Sequence, residues 1–173
     1  MIAPDFSKAP LEQLVSLEDR TAVVTGGARG IGLAIAKRLS EAGANILIAD
    51  IDVGGCMQKA LNEIQKTGNA AGFLLDTRDA DSMDLAADEA VKIFGGLDIW
   101  VNDAGIYPEK SFLDLEERLL DKVIDINIKG VVYGSKSAVK HMREKGGVIL
   151  NLASVAGFHG TEEMAHYNAS KFA

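Results

Sequence analysis

Five short aliphatic runs, Thr21–Thr25, Asn45–Ala49, Ala70–Leu75, Leu97–Val101 and Gly147–Leu152, alternate with stretches of helical periodicity. A run that is apolar at consecutive rather than alternate positions marks a strand buried on both faces. Strands of that kind, joined by helices, build a parallel sheet covered on both sides. Right-handed crossovers then wind the chain outward in two directions from the first strand. The expected fold class is α/β, a doubly wound parallel sheet in the order 3-2-1-4-5. Such a sheet binds its ligand beyond the carboxyl ends of the strands, at the switch point between strands 1 and 4.

Between the runs, Gly30–Ala42 places Ile31, Ile35 and Leu39 on one helical face, with Gly43 as its stop signal. Asp52–Lys66 and Ala80–Phe94 are the next helices, the second closed by Gly95-Gly96. A long stretch, Leu115–Lys145, begins near a cap at Asp114 and has a soft spot around Gly130. A last helix starts near Glu163 and runs to Ala173. Residues 1–18, with two prolines and scattered charges, read as a mobile or loosely docked N-terminal arm, and residues 19–173 as one domain.

Composition removes several function classes. Eighteen basic against 25 acidic side chains leave a formal charge of −7. Without a basic stripe there is little to replace the counterions of a nucleic acid. Cys56 is the only cysteine, so neither an intramolecular disulfide nor a thiolate metal cluster can form, and it reads as a small apolar residue. No apolar run approaches the roughly 18 residues of a membrane span. The first residues lack the apolar centre of a secretory signal, which makes the cytoplasm the expected location and gives the membrane no role.

Strand 1 runs into Thr25-Gly-Gly-Ala-Arg-Gly-Ile-Gly32. A glycine-rich turn opening a helix lets backbone N–H groups approach a diphosphate at the positive helix end, although glycines also serve tight helix–strand packing. Asp50 ends strand 2, eighteen residues beyond Gly32, where a carboxylate accepts from both adenosine ribose hydroxyls and repels a 2′-phosphate. That favours NAD over NADP. Asp76 ends strand 3 and suits either an adenine amino group or the cap of the following helix.

Tyr167-Asn-Ala-Ser-Lys171 sets a phenol and an ammonium four residues apart, on one face of a helix. A tyrosine working as an acid/base near pH 7 needs its pKa of about 10 lowered by about 3 units, or ~4 kcal/mol. One ammonium about 4 Å away supplies ~4 kcal/mol at an effective dielectric of about 20. Ser154, just past strand 5, can donate to a substrate oxygen held near that tyrosine. Asn127, inside the long helix, is mildly unfavourable there unless its side chain bonds a water or a backbone group.

Together these residues resemble the classical short-chain dehydrogenase/reductase family over Asp19 to Ala173. Thr25-Gly-x-x-x-Gly-x-Gly32 is similar to the family's cofactor turn, and Asn102-Asp-Ala-Gly105 to its Asn-Asn-Ala-Gly segment after strand 4. Asn127, Ser154, Tyr167 and Lys171 match its catalytic tetrad. The resemblance implies a Rossmann fold. It also implies proton exchange between Tyr167 and the substrate oxygen while hydride passes to or from a nicotinamide. Lys171 would hold the nicotinamide ribose and lower the tyrosine pKa, Ser154 would orient the substrate, and Asn127 would hold a relay water. By the same resemblance Gly26, Arg29, Gly30, Ile31, Gly32, Asp50, Ile51, Asp76, Thr77, Asn102, Ala104, Gly105, Tyr167 and Lys171 line the NAD site. A small-molecule alcohol or ketone is the implied substrate, and a homodimer or homotetramer the implied full-length assembly.

Two departures stand out. Asp103 replaces the family's second asparagine, so an ionised side chain there accepts hydrogen bonds but cannot donate them. The sequence given also stops two residues after Lys171, before the sixth strand and the substrate loop that the resemblance implies. The leading expectation is an NAD-dependent oxidoreductase acting on a secondary alcohol or ketone. Its alternatives are an NADPH-dependent 3-oxoacyl reductase and a non-catalytic, truncated dinucleotide-binding module. His141, His159 and His166 show no metal-ligand spacing and read as surface or loop residues, with His159 also placed to line the pocket mouth. Tyr107 is a second candidate pocket wall, and Trp100 reads as core.

Overall fold

The computed structural model describes residues 9–173 except residue 53. Five parallel strands, β1 (Thr21–Thr25), β2 (Asn45–Asp50), β3 (Ala70–Leu74), β4 (Ile99–Asn102) and β5 (Val148–Asn151), form one sheet in the order β3-β2-β1-β4-β5. The order is the expected one. In the central register Val24 sits beside Ile48 on one side and Val101 on the other.

Alternate residues of the central strands feed two separate cores. Ala22, Val24, Ile46, Ile48, Ile99 and Val101 pack with Ala36 of α2 (Gly30–Glu41) and with Met57, Ala60 and Ile64 of α3 (Cys56–Ile64). Val23, Leu47, Ala49 and Trp100 point the other way. They meet Met83, Ala86, Ala87 and Ala90 of α4 (Ala80–Phe94) and Ala138 and Met142 of α6 (Gly130–Met142). Burying each valine, leucine, isoleucine or methionine of these cores contributes about 1.5–3 kcal/mol, and each alanine less. This two-sided burial is why the strands are apolar at consecutive positions. Trp100 is core as expected, and Cys56 is a free, half-buried thiol against the first core.

Several boundaries differ from the sequence pattern. In α2 the buried positions are Gly32, Ala36 and Ser40, whereas Ile31 is 66% exposed and belongs to the turn rather than to the core face. Helix α3 starts at Cys56 because Asp52, Gly54 and Gly55 adopt left-handed backbone, which no α-helix continues through. Asp52 Oδ1 instead accepts from the Met57 N–H at 2.7 Å. Asp79, not Asp76, caps α4, accepting from the N–H groups of Asp81 and Ser82.

The long helical stretch is three pieces. Asp114 falls in a 3-10 turn, Phe112–Asp114, and α5 begins only at Glu117 and ends at Ile124. A five-residue π-helical turn, Asp125–Lys129, then leads into α6. The soft spot therefore lies just before Gly130. Of the arm, residues 1–8 lie outside the described residues. The rest holds a short exposed helix, α1 (Leu11–Val15), and then docks: the Leu17 N–H donates to the Ala42 carbonyl at 2.7 Å and Leu17 packs on the first core.

Candidate active site

A cleft of about 1170 Å³ opens at the carboxyl ends of β1, β2 and β4. Its lining joins Gly26, Arg29, Gly30 and Ile31 of the glycine turn, Asp50 and Ile51 after β2, Asp76 and Thr77 after β3, and Ala104 and Gly105 after β4. Tyr167 and Lys171 from α7 (Ala165–Phe172) close its other end.

The glycine turn is built for close approach. A Cβ on Gly32 would stand 2.5 Å from both Gly26 O and Asp103 Oδ2. The N-cap residue Arg29 makes no side-chain capping bond, so the N–H groups of Gly30 and Ile31 stay available for an anion at the cleft wall, while that of Gly32 faces the Asp103 carboxyl. An uncapped helix end lining a deep cleft fits a dinucleotide diphosphate. Thr25 fastens the turn to β4: its hydroxyl donates to Val101 O and accepts from the N–H groups of Asp103 and Ala104, each at 3.2 Å.

Asp50 is buried, and its two oxygens accept from the N–H groups of Ala28 (3.1 Å) and Asp52 (3.0 Å). Each carboxylate oxygen retains a lone pair for a further donor. Asp76 is engaged differently. Arg78 wraps it, with Nη2–Oδ2 at 2.6 Å, and this guanidinium holds the Asp76 carboxyl below the usual carboxylate range. Thr77 packs against Gly130 at the start of α6.

Tyr167 and Lys171 share one face of α7, with the Lys171 Nζ 5.9 Å from the Tyr167 ring centroid. The ammonium donates to Leu152 O at 2.8 Å. Burial pushes the Lys171 pKa down, and Asp103 partly opposes that. Tyr107 meets the Tyr167 ring edge-on, centroids 6.1 Å apart, which makes it a wall of this end of the cleft.

Four predicted residues are not part of the lining: Gly32, whose N–H faces Asp103, and Asn127, Asn102 and Ser154. Asn127, in the π-helical turn, is buried and bonds backbone groups: it accepts from the Ile106 N–H and donates to Ile106 O, both at 2.9 Å, and donates to Ser170 Oγ at 3.0 Å. Asn102 spends its amide on the sheet, accepting from Trp100 Nε1 at 2.7 Å and donating to Asn151 Oδ1 at 2.8 Å. Ser154 Oγ accepts from the Ala156 N–H at 3.1 Å, which leaves its hydroxyl proton to give.

One residue read from sequence as surface or loop is placed otherwise, and several others were not singled out. His166 is 2% exposed rather than a surface residue, and its Nε2 donates to Pro108 O at 2.7 Å, tying α7 to the loop that carries Tyr107. Asn168 holds the Ala156 and His159 carbonyls. Glu117 and Asp121 of α5 and Asp125 at the start of the π-helical turn line the cleft, and their four-residue spacing was the available signal. Among the described residues no cluster of three His, Cys, Asp or Glu side chains suits a metal ion, and no helix is long and apolar enough to cross a membrane.

The chain matches the short chain dehydrogenase family model over residues 20–173, and it belongs to that family of oxidoreductases. It is 35% identical over 161 residues to the 3beta-hydroxysteroid dehydrogenase 2 of Eggerthella lenta, covering 91% of this chain and 62% of that protein. It is 37% identical over 157 residues to a 3-oxoacyl-(acyl-carrier-protein) reductase of Staphylococcus aureus, covering 88% and 63%. The crystal structure of carveol dehydrogenase from Mycobacterium avium in complex with NAD superposes with a TM-score of 0.85 at 27% identity, covering 90% and 62%. The chain thus spans a little under two thirds of the length of the relatives it matches.

Proposed function

We propose that the protein is an NAD-dependent oxidoreductase that interconverts a secondary alcohol and a ketone. The observation that carries this reading is the meeting, in one cleft, of a glycine-turn helix without a side-chain cap, the Asp50 carboxylate after β2 and the Tyr167–Lys171 pair. Bound NAD supplies the hydride acceptor. The N–H groups at the start of α2 hold the diphosphate, and Asp50 accepts the adenosine ribose hydroxyls. Lys171 holds the nicotinamide ribose and places positive charge beside the Tyr167 ring. Tyr167 takes the proton of the substrate hydroxyl in oxidation and returns it in reduction. Ser154 donates its remaining proton to the same oxygen and fixes its position. Asn127 supports α7 through Ser170, whose hydroxyl donates to the Tyr167 carbonyl at 2.7 Å. A cytoplasmic location and a homodimer or homotetramer belong to this reading as family properties.

A second reading, an NADPH-dependent 3-oxoacyl reductase, is favoured by the staphylococcal relative. Buried Asp50 opposes it, because a 2′-phosphate would meet a carboxylate. The test is to follow NADH formation with NAD over a panel of cyclic, acyclic and sugar alcohols, and NADPH consumption with 3-oxoacyl thioesters. Turnover of any secondary alcohol with NAD supports the first reading. Activity confined to NADPH and thioesters replaces it with the second.

A further inference from the structure

We propose that Tyr107 is a specificity-determining residue, a fixed aromatic platform that selects secondary alcohols and ketones carrying an uncharged flat ring beside the reacting carbon. The proposal rests on the oxidoreductase reading above and names the substrate class of the same site.

The segment after β4 alternates. Ile106, Pro108 and Lys110 are half-buried, whereas Tyr107 and Glu109 are exposed. Each half-buried residue is fastened through its backbone. The Asn127 side chain holds both polar groups of Ile106, the His166 imidazole donates to Pro108 O at 2.7 Å, and the Lys110 N–H donates to Glu163 O at 2.8 Å. His166 belongs to α7, Glu163 lies just before it, and Asn127 donates to Ser170 within it. Glu163 takes left-handed backbone, φ 59°, which a residue with a Cβ keeps only where its surroundings hold it. The backbone on either side of Tyr107 is thus tied to the helix that carries Tyr167.

Between these ties one large side chain is left out in the open. Tyr107 is 71% exposed, yet its ring stands 6.1 Å from the Tyr167 ring at an interplanar angle of 60°, and it lines the cleft. A substrate whose oxygen meets the Tyr167 hydroxyl comes within reach of this ring. Ile106, Leu152 and Ala153 add aliphatic lining from the same two loops, and the Lys171 ammonium is already bound to Leu152 O. An aromatic side chain on a tethered backbone loses little freedom on binding, and it favours a second flat ring, offset-stacked or edge-on. An open chain laid on the same ring has rotamers to give up.

An aromatic pair of this kind is worth roughly 2–12-fold in affinity. The test is kcat/KM of the full chain with NAD for 1-phenylethanol and for 2-octanol, secondary alcohols of equal carbon number. It is measured in the wild type, Tyr107→Phe and Tyr107→Ala, each checked for folding by circular dichroism; an exposed side chain can be truncated without opening the core. The open chain is the more apolar of the two alcohols, so hydrophobicity alone works against the ring. Comparing the ratio of the two alcohols between variants cancels their intrinsic reactivity. In Tyr107→Ala the ratio should fall by about tenfold in disfavour of the ring, the loss carried by a higher KM for 1-phenylethanol. Tyr107→Phe keeps the ring face and should keep the ratio within about twofold. An unchanged ratio in Tyr107→Ala overturns the proposal, and so does a Tyr107→Phe ratio that falls as far, which would assign the effect to the hydroxyl. A wild type that oxidises other secondary alcohols but not 1-phenylethanol overturns the proposal and leaves the oxidoreductase reading standing. Absence of turnover of any secondary alcohol with NAD overturns that reading and the proposal with it.

Discussion

Asn127 and Ile106 exchange two hydrogen bonds of equal length, the side-chain amide closing a ring with the backbone N–H and carbonyl of the residue after Gly105. A side chain pairing with a backbone in this way substitutes for a strand neighbour. It satisfies both polar groups of a loop that would otherwise bury them unpaired. The same amide reaches Ser170, so the β4 loop and α7 share one anchor.

Replacing Asn127 by alanine leaves the Ile106 groups without partners and should cost about 2–4 kcal/mol of stability, since each buried unsatisfied group costs about 1–3 kcal/mol. Chemical denaturation of wild type and variant checks this. A loss under half a kcal/mol, roughly a surface substitution, would place Asn127 outside the framework.

Tyr167→Phe removes only a hydroxyl. Turnover should fall by about 10²–10⁴-fold, the usual contribution of a positioned acid/base, while NAD affinity stays within a few-fold. Retained turnover would exclude Tyr167 as the proton-exchanging group. A wild type that binds NAD yet oxidises no alcohol would favour a binding module instead.

Asp50→Ala combined with Ile51→Arg should shift cofactor preference toward NADP, the carboxylate having been exchanged for a guanidinium beside the ribose. The ratio of the two dissociation constants is the readout. An unchanged ratio removes Asp50 from the specificity argument.

Asp103 also writes a pH dependence into stability. Its folded-state carboxyl is raised by burial, so the folded protein binds the proton more tightly than the unfolded chain does. Stability is therefore lost as pH rises from about 4 through the folded-state value. Asp103→Asn removes that loss: its melting temperature should exceed the wild type's at pH 8 and approach it at pH 4. Equal melting temperatures at pH 8 would show the charge to be fully compensated by Lys171 and the Gly32 N–H.

Gly134 offers a sharper packing test. A Cβ there would come within 2.3 Å of Asn102 Oδ1 and 2.7 Å of Trp100 Nε1, inside the hydrogen bond those two atoms make. Gly134→Ala should destabilise by about 1–3 kcal/mol, the cost of overpacking, as read by thermal unfolding. A neutral effect would mean that α6 can retreat from the sheet.

The sheet was legible because its evidence is redundant. Val23 and Val24 face opposite cores and must both be apolar, and the same holds for Leu47 and Ile48. The glycine turn and Asp50 could be placed because spacing along a βαβ unit is fixed by geometry. Other features are set by tertiary context. Ile31 fits the helical apolar period but points out at the cleft rim. His166 is polar in a polar segment, and its partner, the Pro108 carbonyl, lies 58 residues away in sequence. The left-handed backbone at Asp52, Gly54 and Gly55 overrode a helical pattern that starts earlier.

The π-helical turn at Asp125–Lys129 acts as a phase shifter. One residue more than α-helical winding requires rotates everything after it by about 100°. Up to its first residue, Glu117, Asp121 and Asp125 look into the cleft; beyond its end, Gly130 and Gly134 look onto Thr77 and Trp100. An unbroken helix could keep only one of these two alignments. The number of residues in this segment, more than their identity, decides both. Losing one of them would be the helical counterpart of a one-residue register slip in a strand: every side chain intact, and half of them aimed at the wrong neighbour.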